Sequence, residues 1–264
     1  MKREANKLCG FSYNPKQKTN PLAHKDPEWL KYHATMVDTG PLYTETEFGH
    51  VIVEPWNAVT SLAFLIPAIY WLWRVRFDFR RYPILVICGV LLFVGGMGST
   101  LFHAFRSSRA LIVMDFLPMG LACLCMSGYF WYRVLYQKWY WVASILVPTL
   151  VLRQSLFDWL NHHNAINVSY FLTGTMIFLP LLLRLIQTHW KGLLDVAVAL
   201  LCFASALFFR QIDAWHPPVI SIGTHFLWHL LGAWGSFHLA RHLYKAEESN
   251  HKSRLNDGEL IILG

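Results

Sequence analysis

Seven long apolar segments, separated by short polar turns, constrain the fold more than any other feature of this sequence. Each has about 20 residues, which is the length that a helix needs to cross the hydrocarbon core of a bilayer. Segments 84–94 and 171–183 lack the polar residues that would recur at every turn of a soluble amphipathic helix. The sequence therefore predicts an all-α fold, a polytopic membrane protein with a seven-transmembrane helix bundle. The predicted spans are 56–76, 84–104, 110–131, 139–158, 166–187, 193–211 and 219–240.

Polar segments flank the predicted bundle on both sides. Residues 1–55 are rich in lysine and lack the short apolar core of a secretory signal, so we expect them to form an uncleaved extramembrane segment. Residues 56–243 form the predicted membrane domain. Residues 244–264 begin with a charged stretch, and we expect them to form a C-terminal tail that is solvated and partly disordered.

The charge distribution is typical of a multi-pass membrane protein and argues against a nucleic-acid-binding protein. Only 15% of the residues are charged and 55% are hydrophobic, a balance unusual for a soluble domain. The net charge of +7 comes from Lys and Arg residues at predicted helix ends and in the tails rather than on one face. Because these residues concentrate in the loops opposite the N-terminus, the positive-inside rule predicts an outside or lumenal N-terminus and a cytoplasmic C-terminus. The expected partners are the bilayer and its lipids, and the sequence predicts no particular oligomeric state.

Polar and ionisable residues from several predicted spans fall at one depth in the membrane. Successive spans alternate in direction, so the start of an odd-numbered span and the end of an even-numbered span lie on the same side. The layer contains Glu54 and Asn57 of span one, Ser99 and His103 of span two, Asp115 of span three, Asp213 after span six, and His225 and His229 of span seven. Such groups are costly within apolar helices and tend to mark function. Their convergence predicts a functional site close to one membrane surface.

Three histidines of this layer are candidate metal ligands. His225 and His229 are four residues apart, which places both imidazoles on one helix face, as two zinc ligands on one helix require. Taken alone, such a pair is equally compatible with haem binding, with a hydrogen bond to a neighbouring helix, or with an interfacial position. His103 raises the count to three, and three histidines with one water form an open, catalytic zinc site. The layer therefore predicts a zinc ion that lowers the pKa of its bound water to about 7.

Ser99 and Asp115 are the candidate catalytic residues. Asp115 can accept a proton from the water, or it can accept an N–H from a ligand histidine and fix its tautomer. Ser99 can donate to the oxyanion of a tetrahedral intermediate, or it can bond to the carbonyl one turn earlier in its helix. A triad of Ser99, His103 and Asp115 is the rival mechanism. It leaves His225 and His229 without a role, and Ser99 lies in no nucleophile-elbow motif.

These residues lie in motifs that resemble those of the alkaline ceramidases, which belong to a superfamily of seven-helix membrane hydrolases with adiponectin-receptor-like proteins and lipid-remodelling factors of glycolipid anchors. Between about Tyr43 and His242 the motifs are Glu54-Pro55-Trp56-Asn57 with Thr60 and Pro67, Gly96-Met97-Gly98-Ser99 through Phe102-His103, Asp115 with Leu117-Pro118-Met119, Gln211-Ile212-Asp213, and His225-Phe226-Leu227-Trp228-His229. The resemblance implies a hydrolase domain over 56–243 that cleaves the N-acyl bond of ceramide to a sphingoid base and a fatty acid. It also implies that His103, His225 and His229 bind zinc and that Ser99 and Asp115 complete the site.

The resemblance raises calcium as a second candidate cofactor. Family members hold a calcium ion between an N-terminal acidic stretch and the start of the first helix. The candidate ligands in this chain are Glu45, Glu47 and Glu54, whose carboxylate oxygens suit calcium. Tyr43-Thr44-Glu45 stands where the eukaryotic enzymes have Trp-Cys-Glu, and the spacing from Glu45 to Glu54 is shorter than in their pattern.

Two departures from the family pattern bear on the substrate. Phe116 follows Asp115 where the family has an acidic residue, and Ser61 follows Thr60 where Asn is usual. The leading hypothesis is an amidase for ceramide-like lipids, since an acyl chain can lie among apolar helices while its carbonyl reaches the zinc. The alternatives are a zinc-dependent hydrolase or remodeller of ester phospholipids, and a non-enzymatic seven-helix receptor or haem protein.

Overall fold

The computed structural model describes residues 40–160, 162–213 and 218–256, and the all-α membrane bundle is confirmed over these residues. The helices are α1 (Pro55–Ser61), a 3-10 turn (Leu62–Phe64), α2 (Leu65–Val75), α3 (Pro83–Phe105), α4 (Arg109–Val134), α5 (Trp139–Trp159), α6 (His162–Gln187), α7 (Leu193–Ile212) and α8 (His225–Asn256). Most of the predicted N-terminal segment, residues 1–39, and the end of the predicted tail, residues 257–264, lie outside the described part.

Six helical segments in the described part of the chain are long and apolar enough to cross a membrane. They are Pro55–Val75, which joins α1 to α2, and then Pro83–Phe105, Arg109–Val134, Trp139–Trp159, Asn164–Gln187 and Leu193–Ile212. These six correspond to the first six predicted spans. The seventh predicted span is also helical, but α8 is more polar because it contains five histidines, His225, His229, His238, His242 and His251. The first four of these are buried, so these side chains face the bundle rather than lipid.

Helix α8 differs from the predicted seventh span at both ends. It begins at His225 rather than near residue 219, because the preceding turn contains Gly223 with a φ of +79° and ends where Asp213 accepts backbone N–H groups. It continues to Asn256, well past the predicted end of the membrane domain. Residues 244–256 of the predicted tail are therefore helical, and the expectation of partial disorder is wrong for them. Glu248 of this extension binds Arg81, so contacts with the bundle stabilise it.

Helices α3 and α4 approach each other closely at the glycines of α3. A Cβ atom on Gly98 would lie 2.2 Å from the carbonyl oxygen of Met114, and one on Gly95 would lie 2.7 Å from Cγ of Met119. No side chain larger than hydrogen fits at Gly98 without moving the backbone of α4. The close helix approach predicted from these glycines is confirmed, and it brings the end of α3 against the start of α4.

The apolar core lies at the opposite end of the bundle from the predicted polar layer. It joins α2, α3, α4, α6 and α8 through Trp71, Leu72, Leu85, Phe130, Leu181, Leu185 and Leu243, all of them buried. Helix α5 is peripheral, since within the described residues it contacts only α4 and α6. The core fixes the tilt and spacing of the helices, and the layer of polar residues is left to fill the other end.

Candidate metal centre

Three buried histidines come together where α3 ends and α8 begins. One ring nitrogen from each of His103, His225 and His229 lies within 4.8 Å of the other two, and in the described part of the chain no other group of His, Cys, Asp or Glu has such geometry. The side chains are exposed by 1%, 3% and 2%, respectively. The two histidines of α8 have ring centroids 4.8 Å apart, as the spacing of one helical turn predicts. This arrangement can hold a metal ion.

The ring of His103 is oriented by a buried carboxylate. Its Nδ1 donates to Oε2 of Glu54, whose side chain is fully buried. The other oxygen of Glu54 accepts from Arg106 Nη1 at 2.5 Å and from the Thr46 hydroxyl at 2.6 Å. Although burial raises the pKa of Glu54, the hydrogen bond from His103 and the charge of Arg106 bring it down to about 2. Because Nδ1 is engaged, Nε2 of His103 is the nitrogen available to a metal.

The ring of His229 is oriented by a hydroxyl at the end of α1. Its Nδ1 lies 3.1 Å from Oγ1 of Thr60, and that hydroxyl lies 2.7 Å from the carbonyl oxygen of Trp56. The single hydroxyl proton of Thr60 is donated to this carbonyl, so the hydroxyl oxygen accepts from Nδ1–H of His229. The tautomer with a free lone pair on Nε2 is therefore favoured, which is the form that a metal ligand needs.

The third ring, that of His225, has a buried nitrogen without a partner. Nδ1 of His225 makes no hydrogen bond, whereas buried polar atoms are nearly always paired. The ring stacks on Tyr43 with centroids 3.7 Å apart and planes at 14°. An unpaired buried imidazole nitrogen beside two other oriented imidazoles fits the chemistry of a metal site.

Asp213 ties the start of α8 to the segment that carries Tyr43. Its Oδ1 accepts the backbone N–H groups of Thr224 and His225, at 2.5 and 3.0 Å, which caps the helix. Its Oδ2 accepts the backbone N–H of Thr44 at 3.0 Å. Asp213, which the sequence placed in the polar layer without a defined role, therefore positions both His225 and the ring stacked on it.

Both predicted catalytic residues reach the same site. Asp115 lines one cavity together with the three histidines, and its carboxylate accepts a hydrogen bond from Ser99. The Ser99 hydroxyl is buried and lies 3.0 Å from that of Ser61. The carboxylate on His103 is Glu54 rather than Asp115, so the residues do not form the linear chain that a Ser/His/Asp triad requires.

The three predicted calcium ligands do not come together as a group among the described residues. Glu45 accepts the backbone N–H groups of Trp56 and Asn57, at 2.5 and 2.9 Å, and so caps α1. Glu47 is exposed and lies 3.4 Å from Nε2 of His50. Glu54 is held by His103 and Arg106, as described above. This arrangement gives no support to calcium binding, which stays a prediction.

A cavity of about 600 Å³ runs from the histidines into the bundle. Its walls are mostly apolar and include Phe64, Trp71, Met119, Met126, Ile177 and Phe203. Near the histidines it is also lined by Asp115, Tyr170 and Arg210. The site thus combines a polar head with a long apolar channel.

Some residues of the site were given no role by the sequence. Thr60 and Tyr43 were only parts of motifs, and Arg106 was not singled out. Arg106 follows His103 by three residues, about one helical turn, and this spacing was the available signal for it. The contacts of Thr60 and Tyr43 depend on how α1 and the segment before it pack on α8, which no local pattern encodes.

We compared the sequence with protein-family models and with curated proteins. No protein-family model matches the chain, and none of the curated proteins matches it. The functional argument therefore depends on the residues and geometry of the site.

Proposed function

We propose that this protein is a membrane-embedded, zinc-dependent amidase of the alkaline ceramidase type, which hydrolyses the N-acyl bond of ceramide-like lipids. The observation that supports it most is the position of the three buried imidazoles at the head of an apolar channel between helices. A metal that can bind water and a channel that can bind a lipid chain are what hydrolysis of a lipid amide requires.

The donor set suits zinc. Three buried imidazoles would leave one position of a four-coordinate zinc ion open, as in catalytic zinc sites. Partners on the second nitrogens of His103 and His229 hold those two rings in the ligand tautomer. When bound, zinc supplies a Lewis acid for the amide carbonyl and lowers the pKa of water at the open position.

Asp115 is the general base in this proposal. It lines the cavity beside the histidines, within reach of a water that attacks the carbonyl carbon. Asp115 accepts the proton of that water and returns it to the nitrogen of the departing sphingoid base. Ser99 holds the carboxylate of Asp115 through its hydroxyl.

The channel accounts for the lipid substrate class. Its apolar walls, with Trp71 and Met126 far from the histidines, accommodate an acyl chain while the amide stays next to Asp115. The carbonyl of an ester lipid fits the same position. The experiment below therefore measures cleavage of an amide lipid and of an ester lipid side by side.

The test compares wild type, the double variant His225→Ala/His229→Ala and the control variant His189→Ala, in which an exposed histidine distant from the site is removed. Each is purified in detergent, and zinc content and fatty-acid release from ceramide and from an ester phospholipid are measured on the same preparations. We expect about one zinc per chain and ceramide cleavage in wild type and in the control, and neither in the double variant. Zinc with cleavage of the ester lipid alone would move the substrate to the second class. Absence of zinc from the purified wild-type protein would contradict the proposal.

A further inference from the structure

A second cavity, of about 840 Å³, lies at the end of the bundle opposite the three histidines. It is bounded by the end of α4, the start of α5, the last turns of α8 and the loop before α3. Leu124, Leu146 and Val147 form an apolar wall, and Arg81, Arg133 and Glu247 lie at the polar end. The lining of the cavity is therefore complementary to a phospholipid, with an apolar part for the acyl chains and a charged part for the headgroup.

Two charged side chains of opposite sign are incompletely satisfied in this cavity. Glu247 is only 6% exposed, and its Oε2 is buried without a hydrogen-bond partner. The Nε of Arg81 is also buried without a partner, because the interaction of Arg81 with Glu248 uses Nη2 at 2.5 Å. A buried acceptor and a buried donor left unpaired are costly. A ligand with both a cationic hydrogen-bond donor and an anionic acceptor would satisfy Oε2 of Glu247 and Nε of Arg81.

We propose that this cavity binds one phospholipid whose headgroup carries a primary ammonium and no carboxylate, namely phosphatidylethanolamine. The ammonium donates to Oε2 of Glu247, the phosphate accepts from Nε of Arg81, and the acyl chains lie along α4 and α5. A choline headgroup has no N–H to donate, and a glycerol headgroup has no cation, so neither satisfies both side chains.

The surroundings favour a lipid from the bilayer. Helix α5 is loosely packed, since only 11% of its most apolar stretch is buried, so the groove between α4 and α5 is accessible from the membrane. Tyr132 and Trp139 line the same cavity at the ends of their helices, the level at which aromatic residues meet lipid headgroups. Burial raises the pKa of Glu247 to about 7, and a neighbouring ammonium restores its charged form.

Lipid selectivity tests the site independently of any hydrolytic activity. Wild-type protein is delipidated in detergent and offered an equimolar mixture of phosphatidylethanolamine, phosphatidylcholine and phosphatidylglycerol with identical acyl chains, and bound lipid is counted by native mass spectrometry. We expect one phosphatidylethanolamine to be retained in preference to the other two. Equal retention of phosphatidylcholine, or preference for phosphatidylglycerol, would overturn the proposal.

The variant Glu247→Gln keeps the size of the side chain and removes its charge. We expect its affinity for phosphatidylethanolamine to fall roughly tenfold, the equivalent of about 1.4 kcal/mol, with little change for phosphatidylcholine. Asp158→Asn, at an exposed position of α5, removes the same charge elsewhere and should leave the selectivity unchanged. Unaltered selectivity in Glu247→Gln would also refute the assignment. If this variant does not fold, the wild-type selectivity decides the question alone.

Discussion

Single residues determine which nitrogen of His103 and of His229 is free to bind a metal. The carboxylate of Glu54 accepts a hydrogen bond from Nδ1–H of His103, and the hydroxyl of Thr60 accepts one from Nδ1–H of His229. These contacts come from a short segment at the start of the first span, far in sequence from the rings they orient. The capacity of the three histidines to hold a metal therefore depends on residues that are not themselves candidate ligands.

Replacing Thr60 by Val tests this dependence with little change in side-chain volume. The variant loses the nearest hydroxyl acceptor for Nδ1–H of His229, leaving Ser61 Oγ at 3.4 Å and the backbone of Asn57, so the ligand tautomer is held less firmly and we expect zinc affinity to fall about tenfold. Zinc affinity is measured by competition with a chelator. Thr100→Val is the matched control, because the Thr100 hydroxyl bonds only to the carbonyl of Gly96 in its own helix, at 2.9 Å. If both variants bind zinc as tightly as wild type, Thr60 has no orienting role.

At the scale of helices, the contact between α3 and α4 positions both candidate catalytic residues. Gly98 precedes Ser99 and faces Met114, which in turn precedes Asp115. The closest approach of the two helices is therefore one residue away from each member of the pair. A change in the spacing of these helices moves Ser99 and Asp115 apart.

Gly98→Ala tests the importance of this spacing. The added Cβ would lie 2.2 Å from a backbone oxygen, so α4 must shift, and we expect a loss of stability of about 1–3 kcal/mol together with a loss of any hydrolytic activity. Gly120→Ala on α4 is the control, since nothing lies within 4 Å of its added Cβ. There the better helix propensity of Ala should leave stability unchanged or raise it by up to about 1 kcal/mol. Thermal unfolding in detergent measures both, and equal melting temperatures would contradict the packing argument.

The helices and the polar layer were predictable from the sequence, because apolar length and alternation of direction encode them directly. His103, His225 and His229 were placed together by that reasoning alone. The limits of α8 were not predictable, since its start depends on a cap from Asp213 and its extension on contacts of residues such as Glu248 with distant loops. The partner of His103 was missed for the same reason. Glu54 looked like a calcium ligand, and only the packing of α1 against α3 turns it toward a histidine.

At the scale of the whole molecule, the predicted seven spans place the two ends of the described chain on opposite sides of the membrane. Helix α8 is decisive for this topology, because it is the one span whose composition alone does not identify it. Its histidines are buried against the other helices, which allows a polar helix to cross.

Single cysteines at exposed positions test the number of spans. His50→Cys and Lys252→Cys are made in a Cys9→Ser background, and sealed vesicles are labelled with a membrane-impermeant maleimide. In right-side-out vesicles we expect His50→Cys to react at once and Lys252→Cys only after the vesicles are opened, and in vesicles of the opposite orientation the reverse. The remaining cysteines lie within helices of the bundle, so the background should stay unlabelled. Reaction of both positions from one face would mean an even number of spans.

The distance along α8 between the histidine site and the second cavity is close to the thickness of a membrane. His225 stands in its first turn and Glu247 near its end, 22 residue steps later, and a straight α-helix covers that interval in about 33 Å. This is close to the roughly 30 Å thickness of the hydrocarbon core. One continuous helix thus joins the layer of histidines to the charged cavity, and the distance between them matches the thickness of the hydrocarbon core. In a thinner membrane this helix must tilt or its polar ends must protrude, and either change would alter the depth of His225 and Glu247 in the bilayer.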